Sequence, residues 1–300
     1  METAIIKKHI QRAWGWDDKE SNIFPGTLPV SVERRHFSVL QNNMYVVCEK
    51  SDGLRYNLVC TKIEKKRVAF LVNRSFQMMP VQLCFPRNAH EGTVLDGELI
   101  NGKEFIAYDA VQVGGVDVKH MNLIDRIGYA ENFITGIMYS KKDKYTISLK
   151  KFYPLYMMQE YITEHLPTVN HTSDGFIFTP VTEPVKTLTH ERMFKWKPFE
   201  QITIDFKMKR KNTDIWGLYL LDRGQLIYES EIPDDGQPWM GEDVIVECGY
   251  VTGNGWRCWK PIHIRTDKSH PNNRKTYYRT LKNIKENIQL KEFVNLYNAK

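Results

Sequence analysis

The sequence predicts an α+β protein in two parts, an antiparallel-sheet region with helices and then a small β-barrel followed by a C-terminal helix. Three observations lead there. From residue 44, short β-rich runs (MYVVCEK, NLVCTKI, RVAFLVN, GTVLDGELI, KEFIAYDAVQV) are separated by DG, NR or NGK, the punctuation of antiparallel turns. A second series (IWGLYLLD, QLIYES, DVIVECGY, GWRCWKPIHI) recurs at even spacing, as the strands of a small barrel do. Between and around these runs the apolar spacing widens to the three-to-four period of helices.

In chain order, residues 1–16 predict a surface helix with Ala4, Ile5, His9 and Ala13 on one face. Residues 17–36, with DDKESN, Pro25, Gly26 and Pro29, favour extended or turn structure. Helical spacing returns at 118–139 and 154–166, and HTSDGFIFTP is a strand with a turn before it. From 275 a closing helix is expected, with Tyr278, Leu281, Ile284 and Ile288 on its apolar face. The boundary between the parts falls near Pro198, which gives a first domain of 1–200 joined by the helix 275–300, and a second of 201–274.

The 300 residues are 42% hydrophobic and 12% aromatic, which supports a packed core and excludes a disordered chain. Lys+Arg 42 against Asp+Glu 36 leaves a net charge of +6, which tolerates a polyanionic partner without demonstrating one. Cys48, Cys60, Cys84, Cys248 and Cys258 are widely spaced, with no C-x-x-C, so neither a disulfide framework nor a zinc cluster is expected. They are read as buried thiols in a reducing compartment. No stretch approaches the ~20 apolar residues that span a bilayer, and the N-terminus lacks the apolar run of a signal peptide. The expectation is a protein with no membrane partner that is not secreted. Trp216, Trp239, Trp256 and Trp259 are assigned to the barrel core, and His171 and His190 to surface or structural positions.

The segment Glu49-Lys50-Ser51-Asp52-Gly53-Leu54-Arg55 carries the chemistry. A lysine ends one hydrophobic strand, a tight DG turn follows, and an arginine opens the next strand. An amine attacks phosphorus if it is held in place and deprotonated, and neighbouring cations and desolvation both lower a lysine's pKa. Arg55 can make charge-assisted bonds to phosphate or ribose oxygens. An ordinary charged hairpin is the competing reading, because DG pairs occur four times, at 52–53, 96–97, 174–175 and 235–236.

Lys50-x-Asp52-Gly53-x-Arg55 resembles the nucleotidyl-lysine motif of the covalent nucleotidyltransferases, which comprise capping guanylyltransferases and ATP- or NAD-dependent polynucleotide ligases. Further motifs of that superfamily follow in order. Asn73-Arg74 resembles its arginine-bearing turn, Asp96-Gly97-Glu98-Leu99 an acidic motif, and Phe105-Ile106-Ala107-Tyr108-Asp109-Ala110 the strand whose aromatic stacks on the base. Asp174-Gly175-Phe176-Ile177 resembles the next acidic motif, and Lys195-Trp196-Lys197-Pro198 the paired-lysine motif. Arg265-Thr266-Asp267-Lys268 with Pro271-Asn272 is similar to the C-terminal RxDKxxPN motif of capping enzymes. Phe24-Pro25-Gly26-Thr27-Leu28-Pro29-Val30-Ser31 is similar to their substrate-lining segment, and Lys151-Phe152-Tyr153-Pro154 to a base-pocket segment. Tyr108 stands where phenylalanine is common, and Asp174 where ligases usually carry glutamate. The first departure keeps the stacking face and adds a hydroxyl, and the second favours the capping branch.

The resemblance implies a nucleotidyltransferase domain followed by an OB-fold domain, and a two-step reaction. The lysine attacks the α-phosphate of GTP, and GMP then passes to the 5′-diphosphate end of RNA. Lys50 is the implied nucleophile, with Lys195 and Lys197 on the phosphate oxygens and Arg265, Asp267 and Lys268 brought in by the second domain through hinges near 198–203 and 260–275. Arg55 and Arg74 are implied ligands of ribose or phosphates, Tyr108 a stacking partner of guanine, and Lys151 a contact to its edge. Asp174 and Glu98 are the candidate ligands of a divalent cation, Mg²⁺ or Mn²⁺, although Glu98 could instead serve the ribose. Implied partners are GTP, 5′-diphosphate RNA, and a separate RNA triphosphatase and cap methyltransferase. The implied location is the nucleus for a cellular protein, and the host cell or virion for a viral one. An ATP-dependent RNA or DNA ligase, and a noncatalytic OB-containing nucleic-acid-binding protein, are the competing functions.

Overall fold

The computed structural model describes residues 2–16, 22–253, 256–266 and 268–297, with the backbone alone at 253 and 256–258. The chain forms two units, Met1–Val30 with Ser38–Lys195 and Val294–Lys300, and Ser31–Phe37 with Trp196–Phe293.

The first part of the chain runs α1 (Glu2–Trp14), β1 (Leu28–Ser31), α2 (Phe37–Asn42), β2 (Tyr45–Ser51), β3 (Leu54–Ile63), β4 (Lys66–Asn73) and β5 (Met78–Pro80). It continues through β6 (Thr93–Ile100), β7 (Glu104–Val113), β8 (Val116–Asp117), α3 (Leu123–Thr135), β9 (Thr146–Leu149) and β10 (Tyr153–Pro154). After α4 (Met158–Glu160), one turn in an irregular helical run over 155–168, come β11 (Ser173–Pro180) and β12 (Thr189–Trp196). These strands make a five-stranded sheet, β1-β12-β11-β2-β10, and a seven-stranded sheet, β5-β4-β3-β6-β7-β8 with β9 parallel to β7.

Strand alternation gives the seven-stranded sheet two different faces. One carries Tyr56, Leu58, Leu95 and Leu99 into a core shared with Ala130 and Phe133 of α3. Arg126 of α3, 2% exposed, ties the helix to this sheet through a bidentate pair with Asp109, at 2.7 and 2.9 Å. The other face carries Val59, Phe70, Val72 and Val94 onto Ile6, Ile10, Ala13 and Trp14 of α1. The buried stripe of α1 therefore runs through Ile6 and Ile10, while Ala4 and Ile5, expected on that stripe, are exposed. Where α1 leaves off, the same face becomes polar, with Arg55 opposite Glu98 and Asn57 opposite Asp96 in the register of β3 and β6.

The turn signals divide by chemistry. Asn101 and Gly102, with φ of 49° and 68°, are the left-handed central pair of the turn between β6 and β7, which the Lys103 N–H closes on the Ile100 carbonyl at 3.0 Å. Asp96-Gly97 is no turn, but lies inside β6. A Cβ on Gly97 would sit 2.5 Å from the Ile106 carbonyl oxygen and 2.6 Å from the Phe105 ring, so the close strand approach demands glycine there.

The second unit contains β13 (Thr203–Arg210), β14 (Ile215–Asp222), β15 (Gln225–Pro233), β16 (Ile245–Gly253) and β17 (Trp256–Ile264), all antiparallel in the order β15-β14-β13-β16-β17. The edge strands β15 and β17 also meet, which curls the sheet toward a barrel. Ile204, Phe206, Trp216, Leu218, Val246 and Trp259 fill it. Trp239 packs against that core, and the Trp256 side chain lies outside the described residues.

The closing helix is two helices, α5 (Arg274–Glu286) and α6 (Leu290–Val294). Asn287, at φ 40° and ψ 54°, stops α5 with a left-handed cap, a common use of asparagine. Tyr277, not Tyr278, is its buried tyrosine, packed on Phe206 and Trp259, and Tyr278 is 50% exposed. These contacts group α5 with the second unit, whereas the sequence reading attached 275–300 to the first domain. Of the cysteines, Cys48, Cys60 and Cys248 are buried free thiols, Cys84 is exposed against expectation, and the Cys258 side chain lies outside the described residues. Among the described residues no helix is long and apolar enough to cross a membrane.

Candidate active site

Lys50 stands near the end of β2, partly buried between the buried Glu49 and Ser51. Its Nζ lies 2.7 Å from Asp174 Oδ1. The pairing of β2 with β11 explains the meeting. Ser51 is opposite Ser173 and Glu49 opposite Phe176, so Asp174-Gly175 form a bulge against Lys50. Gly175 has φ 148°, a conformation that side-chain-bearing residues rarely adopt, and the bulge turns the Asp174 carboxylate onto the lysine.

The Asp52-Gly53 segment is not a hairpin turn. β2 belongs to the five-stranded sheet and β3 to the seven-stranded one, so the chain crosses between sheets within two residues. Lys50 and Arg55 thus approach from different sheets.

Arg55 is held by Asp96 through Nε at 3.0 Å and Nη2 at 2.5 Å, and by the Thr27 carbonyl through Nη1 at 2.6 Å. Asp96, 1% exposed, also accepts from Asn57 Nδ2 at 3.1 Å and the Tyr108 hydroxyl at 3.3 Å. Trp14 Nε1 donates to Asn57 Oδ1 at 3.1 Å and completes the cluster. The Arg55 guanidinium lies 5.6 Å from the Phe24 ring centroid and 6.0 Å from that of Tyr108. Arg74 is exposed and within electrostatic reach of Arg55, Tyr108, Asp96 and Glu98.

The Glu98 carboxyl makes no hydrogen bond or ion pair among the described residues. Burial raises its carboxyl to about 7, while Lys150 and Lys50 draw it down. A carboxyl so placed gains most from an arriving cation.

Sequence reasoning missed a buried network behind the lysine. Lys150 Nζ donates to Glu49 Oε1 at 2.6 Å and to Ser51 Oγ. The Tyr161 hydroxyl donates to Glu49 Oε2 and accepts the Glu49 backbone N–H at 2.7 Å. His171 Nε2 is 2.6 Å from Ser51 Oγ and 3.3 Å from Glu49 Oε1. Burial works against the Glu49 charge, but Lys150 and Tyr161 outweigh it and hold the carboxyl below its ordinary pKa. Both neighbours of Lys50 are thereby clamped. Lys151, read as a contact to the base edge, is exposed, with Nζ 5.2 Å from the Tyr153 ring centroid.

Lys195 and Lys197 are partly buried and flank Trp196, which is 8% exposed, as strand alternation requires. In the second unit Arg265 pairs through Nη1 with Asp205 at 3.0 Å and Glu247 at 3.2 Å. Asn272 accepts the Asp205 backbone N–H at 2.8 Å, so this motif also braces β13. Lys268 is exposed, and Asp267 lies outside the described residues.

Two family models match the chain. The one described as mRNA capping enzyme, catalytic domain, matches residues 2–199, and the one described as mRNA capping enzyme, C-terminal domain, matches 184–294. The mRNA-capping enzyme subunit alpha of Neurospora crassa is 30% identical over 234 residues, covering 68% of this chain and 57% of that protein. The protein of that name from Schizosaccharomyces pombe is 29% identical over 240 residues, 69% of this chain and 58% of that one. The mRNA-capping enzyme of Danio rerio is 25% identical over 293 residues, 89% of this chain and 48% of its own length. The chain thus spans about half to three-fifths of these relatives.

Proposed function

Because the chain belongs to the mRNA capping enzyme family, we propose that it is a guanylyltransferase that carries GMP on Lys50 from GTP to the 5′-diphosphate end of RNA. The observation that carries this reading is Lys50 Nζ held 2.7 Å from Asp174, with Glu98 and a cluster of fixed cations around it.

In the first step the neutral Lys50 amine attacks the α-phosphorus of GTP. An N–P bond forms, the bond to the α–β bridging oxygen breaks, and pyrophosphate leaves. The nearest acceptor for the proton that Lys50 must lose is Asp174 Oδ1. In the second step a terminal oxygen of the RNA diphosphate attacks the same phosphorus. The N–P bond breaks, its electron pair returns to Nζ, and Nζ regains a proton.

Three of the five Arg55 N–H groups are taken by Asp96 and Thr27, which leaves two, already oriented, for ribose or phosphate oxygens. Tyr108, tethered through its hydroxyl to Asp96, offers its ring to guanine. Lys195 and Lys197 meet the charge that develops on the α-phosphate oxygens. The donor set suits a hard divalent cation, since Asp174 and Glu98 supply carboxylate oxygens and Glu98 lacks a partner among the described residues. When bound there, Mg²⁺ or Mn²⁺ would neutralise phosphate charge, with Glu98 and Asp174 as its protein ligands. A 5′-diphosphate acceptor and an unmethylated cap product call for an RNA triphosphatase before this step and a cap methyltransferase after it.

The test is label transfer from α-³²P GTP, alongside ATP and a Lys50→Ala variant. Acid-labile, base-stable label from GTP that disappears in the variant supports the reading. Label from ATP alone would move the chain to the ligases, and label from neither would overturn catalysis.

A further inference from the structure

The second unit carries a surface groove that the catalytic reading does not use. It is an open cavity of about 490 Å³ lined by Asp222, Asn273, Arg274, Lys275, Tyr278, Arg279 and Lys282. The sequence concentrates charge here: the segment from Lys268 through Lys285 has six lysines and arginines, its two ends included, and no acidic residue. Asp222, the one acid in the lining, is answered by Arg274 Nη1 at 3.6 Å.

The cations differ in what they already hold. Lys282 pairs with Glu33, and Arg274 Nη2 donates to the Tyr278 hydroxyl at 3.1 Å. Arg274 Nε is buried without a hydrogen-bond partner among the described residues, an N–H that a ligand oxygen would satisfy. The exposed side chains of Lys275 and Arg279 make no ion pair among the described residues. Asp222 and Glu33 answer Arg274 and Lys282, and the remaining positive charge of Lys275 and Arg279 favours an anionic ligand. Beside them Tyr278 is 50% exposed, although its neighbour Tyr277 already supplies the helix with a buried ring.

We infer that this groove binds the phosphodiester backbone of single-stranded RNA, with Tyr278 as a stacking platform for a base. Cations that track phosphates beside an exposed aromatic ring are the combination single-stranded nucleic acid requires, because every base presents a π-face and every linkage a charge. An acidic protein segment would use the cations but not the exposed part of the ring, which beyond its contacts with Arg274 and Tyr277 is open to a base. The inference rests on the proposed function for its choice of polyanion, since that reaction brings an RNA strand to the protein. It extends that reading from the 5′ end to the body of the acceptor.

The experiment measures fluorescence anisotropy of a short labelled oligouridine with the full chain and a Lys275→Ala/Arg279→Ala variant, across a salt series. Each phosphate contact to a single strand contributes about 0.7 to the log–log salt slope, so the double variant should lower the slope by about 1.4 and weaken binding about tenfold near physiological salt. Tyr278→Ala should weaken binding with the salt slope unchanged. Equal affinity and slope for wild type and double variant would overturn the inference. A polyglutamate peptide whose binding is lost in that variant while RNA binding stays would also overturn it and assign the groove to an acidic protein partner. Lys50 labelling from GTP without RNA separates the two readings. Label retained by the double variant shows that it is folded. An unlabelled wild type whose RNA binding falls in the variant sinks the guanylyltransferase and keeps the groove.

Discussion

Replacing Arg55 with alanine should unfold the first unit far more readily than loss of a surface charge would. Asp96 is 1% exposed and accepts four hydrogen bonds, two of them from the Arg55 guanidinium. Arg55→Ala leaves a buried carboxylate with only the Asn57 amide and the Tyr108 hydroxyl. Removing one partner of a buried ion pair costs about 3–5 kcal/mol, and the two surviving neutral donors place this case near the lower end, about 3 kcal/mol. For a unit of this size that lowers the thermal midpoint by roughly 6–12 °C. Trp14 donates to Asn57 within the same cluster, so urea denaturation followed by tryptophan fluorescence reports on the site. Adding Asp96→Asn removes the stranded charge and should restore at least about 1 kcal/mol. A change below about 0.5 kcal/mol in Arg55→Ala, with no gain from Asp96→Asn, would refute the reasoning, because that is the range of an ordinary surface position. No ligand is needed for the measurement, so it stands apart from the assignment of function.

Three further predictions follow from single residues. Burial and Lys186 push the His190 imidazole down to about 4 despite Glu183 at 3.5 Å. Between that value and its ordinary 6.5 the unfolded chain binds the proton and the folded chain does not, so stability falls as pH drops through this window, by up to about 3 kcal/mol. His190→Gln should flatten that part of the pH profile in thermal melts, and an unchanged profile would contradict it. Gly97→Ala drives a Cβ into the Ile106 carbonyl and should cost about 1–3 kcal/mol of stability in urea denaturation, where a neutral outcome would deny the close strand approach. Asp174→Asn should lower GMP labelling of Lys50 about a hundredfold or more. Because the pair is partly exposed, its stability should move by less than about 1 kcal/mol, and intact labelling would remove Asp174 from the site.

Much of the candidate site was legible because its chemistry sits in short ordered segments. Lys50, Arg55, Glu98, Tyr108 and Asp174 lie on strands whose order along the chain survives in the motifs, and the two β-rich stretches were visible from spacing alone. The buried network was not legible, because its members come from four places in the chain. Nothing local distinguishes Lys150, 4% exposed, from its exposed neighbour Lys151, and the choice depends on Glu49 a hundred residues away. His171 was set aside because a single histidine in a loop carries no local signal. The α1 stripe was placed on Ala4 and Ile5 where Ile6 and Ile10 supply the four-residue repeat, an error of phase rather than of period. The Asn287 cap that divides the last helix did have a signal, an asparagine following a run of helix formers.

The two-residue passage from β2 to β3 works as a spacer. An extended residue spans at most about 3.6 Å, so Asp52 and Gly53 set how far the sheet bearing Lys50 can stand from the sheet bearing Arg55. Lengthening this link by one residue would alter no side chain of the site. It would slacken this tie by up to about 3.6 Å, about the length of a phosphate group, and leave the spacing to be held by Lys150, which bonds Ala107 of one sheet through its backbone and Glu49 of the other through Nζ. The connection is thus a gauge for the reaction distance, and its tolerance to insertion measures how tightly that distance is held.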